Sequence, residues 1–426
     1  GNKARYGIMD RREFMKRIGT LGAAGIALSA VPWLKGCTAA GEDEIKGGRV
    51  RFGIIGTGSR GQYHMRNLLS VVNAEITALC DNYAHNLDQA SGIAPGAKRY
   101  DDYRRLLEDP EVDAVIIAVP LHLHHRVALD AFGAGKHVLC EKAMAYTMEE
   151  CLDMYRQGRA SGKIFFVGQQ RLFDPKYIRI MESVRKGELG PVVNVRNYWY
   201  RNNDWRRKVP SPELERHINW RLYREYSRGL MTELACHQLQ NGTWAMGMLP
   251  TQVMGTGNIV YWKDGREVFD SVSTIYTFPN GVNMTFESVI ANKHFGMGEQ
   301  ILCKEGTVDL ANGRLYAESP RKRSGIRQLV GEIEQGIFSN SVFAGTSWSA
   351  EAASADPGIA IMPEAVGSDG SLEMLQSFCH SILTNTQPPN VLEEAYYASI
   401  FCLLGDEAIL QNKILALPDE VRIDYI

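Results

Sequence analysis

The chain has 426 residues, enough at roughly 150 residues per domain for two or three domains, which excludes a disulfide-stapled miniprotein or a disordered tail. Against 49 Asp and Glu, 47 Lys and Arg leave a net charge of −2 with no long basic run, so nucleic acid is not an expected ligand. No apolar run reaches the 18 or so residues of a spanning helix, and the 8 cysteines contain no C-x-x-C, so neither a membrane span nor a metal site is expected.

Residues 1–40 read as an export signal. Arg11-Arg12 precede Phe14 and Lys16, and a weakly apolar, Gly/Ala-rich stretch runs from Ile18 to Val31, the order of a twin-arginine signal. Leu34-Lys35-Gly36-Cys37 follows at the position of a lipoprotein box, with Lys35 a poor residue there; lipidated and unlipidated Cys37 both stand as readings. The expected location is the periplasm, with a lipid anchor at Cys37 as the variant. Residues 41–48 are polar and Gly-containing and read as a linker. The twin-arginine route carries folded proteins, so a cofactor would leave the cytoplasm already bound and is expected to be held tightly.

Residues 49–168 read as a dinucleotide-binding domain of the doubly wound α/β class. The apolar, β-rich run Val50–Ile55 feeds directly into Gly56-Thr57-Gly58-Ser59-Arg60-Gly61 and then a helical pattern through Leu69. That order supplies a tight turn at Gly56, close backbone approach to a pyrophosphate at Gly58 and helix–strand packing at Gly61. A second strand, Ala74–Cys80, ends in Asp81, 20 residues after Gly61. An acid there accepts hydrogen bonds from ribose hydroxyls and repels a 2′-phosphate, which favours NAD over NADP. An apolar strand over Val112–Val119, a helix over His124–Ala134, a strand over His137–Cys140, a helix over Met148–Ala160 and a strand over Ile164–Val167 complete the sheet.

Two strand ends carry unusual residues: Val119-Pro120-Leu121-His122-Leu123-His124-His125 and Gly135-Lys136-His137-Val138-Leu139-Cys140-Glu141-Lys142. Further on, Gly229-Leu230-Met231-Thr232-Glu233-Leu234-Ala235-Cys236-His237 opens a helix with Glu233 and His237 at i and i+4. With the glycine turn, these segments resemble the Gfo/Idh/MocA family of glucose–fructose oxidoreductase and inositol dehydrogenase-like proteins, from about Arg49 to the C-terminus. The resemblance implies that Gly56, Thr57, Gly58, Ser59, Arg60, Gly61, Asp81, Pro120, His124, Glu141, Lys142 and Arg171 bind the cofactor. It implies that Lys142, His237 and Glu233 form the catalytic group. The family normally has proline after Glu-Lys; Ala143 stands here, so a cis peptide is not assumed. Glutamate also replaces the family's aspartate before the histidine. A carboxylate one turn from His237 would orient the ring or raise its basicity. His122 and His125 read as capping or packing residues.

Residues 169–426 form the second, α+β domain, with a helix over Pro175–Lys186 and a strand over Pro191–Tyr200. Gln169, Gln170 and Arg171 at the crossover suit either the nicotinamide end of a cofactor or a polar hinge. Aromatic and guanidinium residues gather in Asn197–Arg201, Asp204–Arg207 and Trp220-Arg221, a mix that suits a sugar or simply a sheet face with an irregular excursion. Val268–Phe278, a Pro279-Asn280-Gly281 turn and Val282–Ile290 predict a hairpin in a largely antiparallel open sheet, and by resemblance such a face pairs subunits into a homo-oligomer. Ala344–Gly370 reads as a long loop, and Met374–Leu383 and Glu393–Gln411 as helices.

The expected activity is hydride removal from a sugar or glycoside CH–OH group, with His237 or Lys142 taking the hydroxyl proton. The alternative is an NAD-dependent glycoside hydrolase that oxidises, eliminates, adds water and reduces again, leaving no net change in the cofactor. A non-catalytic sugar-binding protein is the third class, against which the presence of both Lys142 and His237 speaks.

Overall fold

The computed structural model describes residues 48–318, 358–361 and 369–425. The export signal, the lipoprotein box and most of the Ala344–Gly370 loop lie outside these residues. Strands β1 (Val50–Ile55), β2 (Ala74–Cys80), β3 (Lys98–Tyr100), β4 (Ala114–Ile117), β5 (His137–Cys140) and β6 (Phe165–Val167) form one parallel sheet in the order β3-β2-β1-β4-β5-β6. Strand β4 is apolar and buried at every position, as a strand covered on both faces must be.

Five helices link these strands: α1 (Ser59–Leu68), α2 (Ala84–Ile93), α3 (Tyr103–Leu107), α4 (His124–Gly133) and α5 (Met148–Ala160). Helix α5 starts on a reciprocal cap between Thr147 and Glu150. Strand order reverses between β1 and β4, and at such a switch point an open α/β sheet leaves a crevice at its carboxyl end. This half is the Rossmann arrangement that the glycine turn predicts.

The second half begins with α6 (Pro175–Arg185), capped by the Asp174 carboxylate on the Lys176 N–H. A mixed, mostly antiparallel sheet of nine strands follows. It contains β7 (Val192–Tyr200), β8 (Gln252–Asn258), β9 (Ser271–Thr277), β10 (Asn283–Val289), β11 (Met297–Cys303), β12 (Gly306–Asp309), β13 (Arg314–Ala317), β14 (Ile359–Ala360) and β15 (Leu415–Ala416). The predicted hairpin is β9 and β10, with Gly281 at φ +84° in its turn. Strand β8 escapes a pattern search because Gly255 and Gly257 interrupt it. A Cβ at either glycine would stand 3.0 Å from the Ile409 side chain, so glycine here lets a helix lie close against the strand.

Between β7 and β8 the chain makes a one-turn helix α7 (Glu215–Ile218), a π-helical turn (Met231–Ala235) and α8 (Cys236–Met246), buried at every position but Trp244. The chain then ends in α9 (Ser371–Thr384) and α10 (Val391–Gln411). Helix α9 returns to the first sheet, where Met374, Leu375 and Phe378 share a core with Phe52, Ile54, Leu139 and Phe166. The seven described cysteines are all free and buried. Among the described residues no helix is long and apolar enough to cross a membrane.

Candidate active site

The glycine turn separates three physical demands. Gly56 has φ +90°, and a Cβ there would lie 2.5 Å from the Ala118 carbonyl oxygen. At Gly61 a Cβ would come within 2.0 Å of the Gly56 carbonyl, so glycine is needed where α1 packs on the turn. Gly58 has an ordinary φ of −69°, and a Cβ would meet only Asn86 Nδ2 at 3.7 Å. The protein itself does not forbid a side chain at Gly58; it leaves that face open toward the cleft, the cradle a dinucleotide pyrophosphate needs.

Asp81 ends β2 beside this turn. Its Oδ2 accepts from Thr57 N–H at 2.8 Å and its Oδ1 from Tyr83 N–H at 2.8 Å. The acid thus holds the turn in shape while standing in the wall of the cleft. That cleft encloses about 1110 Å³ and also takes in Gly56, Ser59, Arg60 and Pro120.

At the end of β5, Glu141 is buried under the glycine turn. Its Oε1 accepts from Arg60 Nε and meets His64 Nε2, both at 2.6 Å. Burial alone would raise its pKa, but the Arg60 charge and the His64 contact outweigh it and hold the carboxyl well below the usual range. Glu141 is therefore a fixed anion that ties Arg60 to the sheet, one shell behind the cleft wall. His124 is buried too, with Nδ1 2.8 Å from the Ala143 carbonyl and Nε2 2.9 Å from that of Val119. It joins the loops after β4 and β5 and does not line the cleft. The Lys142–Ala143 peptide is cis although no proline follows.

Lys142 reaches across to the second half. Its Nζ donates to the Glu233 carbonyl at 2.7 Å and to the Thr232 carbonyl at 3.2 Å. Both carbonyls belong to the π-helical turn, whose i→i+5 bonding marks functional sites more often than ordinary helix does. The expected Glu233–His237 partnership is not formed. The i,i+4 argument assumes α-helical winding, and the π turn winds differently, so Glu233 faces Arg221 Nε at 2.9 Å and Ser227 Oγ at 3.3 Å. Burial raises the Glu233 pKa, but the positive charges of Arg221 and Lys142 outweigh this and keep it ionised.

His237 pairs instead with Gln169, ring Nδ1 to Oε1 at 2.9 Å, while Gln169 Nε2 donates to Cys236 Sγ. With the amide so oriented, Nδ1 carries the ring proton and Nε2 is a free acceptor. Burial, then the charges of Arg171 and Lys142, press the His237 pKa well below its ordinary value, so the ring is neutral near pH 7. Arg171 itself is held by Glu299, which also accepts from the Tyr177 hydroxyl, in a buried ion pair away from the cleft wall.

Sequence reasoning missed several neighbours. His122, read as a packing residue, lines the cleft with its buried Nδ1 unpartnered among the described residues. The aromatic and guanidinium segment divides between its two readings. Tyr198 and Tyr200 stand with Phe295 on the sheet face, whereas Trp220 and Arg221 reach the cleft. No local pattern signals these roles, because each depends on a partner far along the chain.

Two family models match this architecture. One, described as the oxidoreductase family with an NAD-binding Rossmann fold, covers residues 50–169; the other, the GFO/IDH/MocA C-terminal domain, covers residues 177–309. Together they span more than half of the chain, which belongs to the Gfo/Idh/MocA family. Among its relatives are the uncharacterized oxidoreductase YrbE of Bacillus subtilis, 27% identical over 54% of this chain and 64% of that one, and myo-inositol 2-dehydrogenase of Thermotoga maritima, 26% identical over 64% and 76%. Inositol 2-dehydrogenase of Salmonella typhimurium is 33% identical over 35% of this chain. The match thus spans only 64% of YrbE and 46% of the Salmonella enzyme, less than two thirds of either. A levoglucosan dehydrogenase solved with NADH and levoglucosan shares the fold at TM-score 0.67 and 19% identity, covering 87% of this chain and all of that one.

Proposed function

We propose that the protein is an NAD-dependent oxidoreductase acting on a secondary hydroxyl of a sugar, glycoside or cyclitol, exported by the twin-arginine route with its dinucleotide held tightly. The observation that carries this reading is that Lys142, from the end of β5, is anchored on carbonyls of the π-helical turn that leads into His237, in a molecule whose glycine turn is open for a pyrophosphate. The open face of Gly58, the uncapped start of α1 and the acid at the end of β2 fit NAD(H). When bound, the nicotinamide would supply the hydride acceptor, chemistry that no side chain here offers.

The residues of the chain do the rest. Two N–H bonds of Lys142 Nζ are spent on main-chain carbonyls, which leaves one position of the amine, and in this reading a substrate hydroxyl takes it. As a neutral amine it takes the hydroxyl proton there; as an ammonium it returns it. His237, neutral and with Nε2 unprotonated, accepts a hydrogen bond from the same or the adjacent hydroxyl and orients it. Relatives named for myo-inositol and levoglucosan fit a substrate ring bearing adjacent hydroxyls. The exposed sheet face at Tyr198, Tyr200 and Phe295 is the surface through which we expect a homo-oligomer, and Cys37 is the site for a lipid anchor.

A second reading, glycoside hydrolysis by transient oxidation, elimination, water addition and re-reduction, is favoured by one observation. A segment of the second half covers the cleft, which suits a cofactor restored in place. The deciding experiment incubates purified protein, without added NAD, with chromogenic α- and β-glycosides and free sugars, following bound-nicotinamide absorbance and product masses together. Accumulated NADH with a keto-sugar establishes the oxidoreductase. Catalytic aglycone release without net NADH establishes the hydrolase. Neither signal, from protein shown to hold NAD, removes both.

A further inference from the structure

Between β7 and the π-helical turn the chain makes an excursion, residues 203–228, that is braced as one piece. Asn219 exchanges hydrogen bonds with the Arg207 main chain, accepting from its N–H at 2.7 Å and donating to its carbonyl at 3.0 Å. Arg206 pairs with Glu215 and with Asp264, and Tyr223 donates to Glu215 at 2.8 Å. Besides contacts of Arg224 and Arg228 with Tyr146, the braced segment touches the dinucleotide half at three places along the cleft. Arg207 Nη2 donates to Ser59 Oγ at 3.4 Å, the His217 ring meets Tyr83 edge-on at 5.8 Å, and Tyr226 meets His122 at 4.9 Å. Ser59 follows β1, Tyr83 follows β2 and His122 follows β4. The segment therefore crosses the cleft along its whole length, from the ribose acid Asp81 past the glycine turn to the wall beside Pro120.

Among the described residues two cations of this segment line the cleft without a carboxylate partner, Arg207 and Lys208, and of these only Arg207 reaches the start of α1. Of its six arginines, Arg206, Arg216, Arg221, Arg224 and Arg228 each have a carboxylate partner. Arg207 has none among the described residues. It lines the cleft and is exposed into it, and the charge closest to it in effect is another cation, Arg221. The one hydrogen-bond partner of its guanidinium among the described residues, Ser59, is the first residue of α1, whose first turn holds no acid and whose Gly58 cap lends no side chain. An unpaired guanidinium thus faces an uncompensated helix N-terminus across the open face of Gly58, and an anion between them would satisfy both.

We propose that residues 203–228 are a strap over the dinucleotide and that Arg207, from the second half, is the counter-ion of its pyrophosphate. This rests on the NAD reading above and adds to it the reason the cofactor is slow to leave: release requires breaking a charge-assisted contact and lifting a braced segment. Arg207 is a binding residue with no part in proton transfer.

The test compares the full chain with Arg207→Ala and Arg207→Lys, measuring NADH release by fluorescence and the affinities of ADP-ribose and adenosine by calorimetry. Arg207→Ala is expected to release NADH at least tenfold faster and to bind ADP-ribose about tenfold more weakly, about 1.4 kcal/mol. Adenosine affinity should not change, and Arg207→Lys should recover part of the loss. Unchanged ADP-ribose affinity in Arg207→Ala overturns the proposal, as does an equal loss for adenosine, which would mean a disturbed strap and no phosphate contact. If the wild-type chain binds neither NADH nor ADP-ribose, the NAD reading itself falls, a result distinct from either.

Discussion

Lys142 joins the two halves of the molecule, since it leaves the dinucleotide half at the end of β5 and is anchored on carbonyls of the second half. Replacing it with alanine removes the proposed proton-transfer group but none of the cradle. Lys142→Ala is therefore expected to lower kcat by about 10²–10⁴-fold while NADH titration gives the wild-type stoichiometry; normal turnover would make Lys142 structural. Lys142 and His237 were legible in the sequence because each sits in a motif beside a strand end or a Gly-rich helix start. Their partners were not. Gln169 lies 68 residues from His237, and the carbonyls that hold Lys142 are 90 and 91 residues away, distances no local pattern spans. The i,i+4 argument for Glu233 was sound for an α-helix and failed because the segment Met231–Ala235 winds as a π turn.

At the scale of elements, the strand–turn–helix unit β1–α1 was readable in full, because a strand, three glycines and a helix leave few alternatives. What the sequence could not rank is why each glycine is there, and the structure makes that ranking testable. Gly61→Ala places a methyl against the Gly56 carbonyl, a backbone atom that cannot step aside without moving the turn. It should lower the urea midpoint of the cofactor-free protein. Gly58→Ala meets no protein atom closer than 3.7 Å at an allowed φ, so it should leave that midpoint in place and weaken NADH binding alone. Equal stability losses in the two variants would refute this division of labour. Short or glycine-broken elements stayed hidden in the sequence: β3 has three residues, two of them charged, and β8 spends two positions on glycines that its neighbours require.

At the scale of the whole molecule, the dinucleotide half is not closed by its own segment of chain. Phe52 of β1 and Phe166 of β6 pack on Phe378 of α9, with ring centroids 6.1 and 5.1 Å away, and all three are fully buried. Gln387, just past α9, hydrogen-bonds both the N–H and the carbonyl of Phe165 at the sheet's edge, at 2.9 and 3.0 Å. On the other face α10 runs beneath the second sheet and against α5 and β6, so the last helices bind the two sheets into one core. A cavity left by Phe378→Ala, more than 200 residues after the glycine turn, should then cost about 3–5 kcal/mol and be felt in both halves at once. Urea unfolding followed by tryptophan fluorescence, which reports mainly on the second half where the described tryptophans lie, and by loss of NADH binding should show one transition with a lowered midpoint by both probes. If NADH binding fell at a lower urea concentration than the fluorescence change, the dinucleotide half would be unfolding by itself, and α9 would be an attached helix on its surface with no share in a common core.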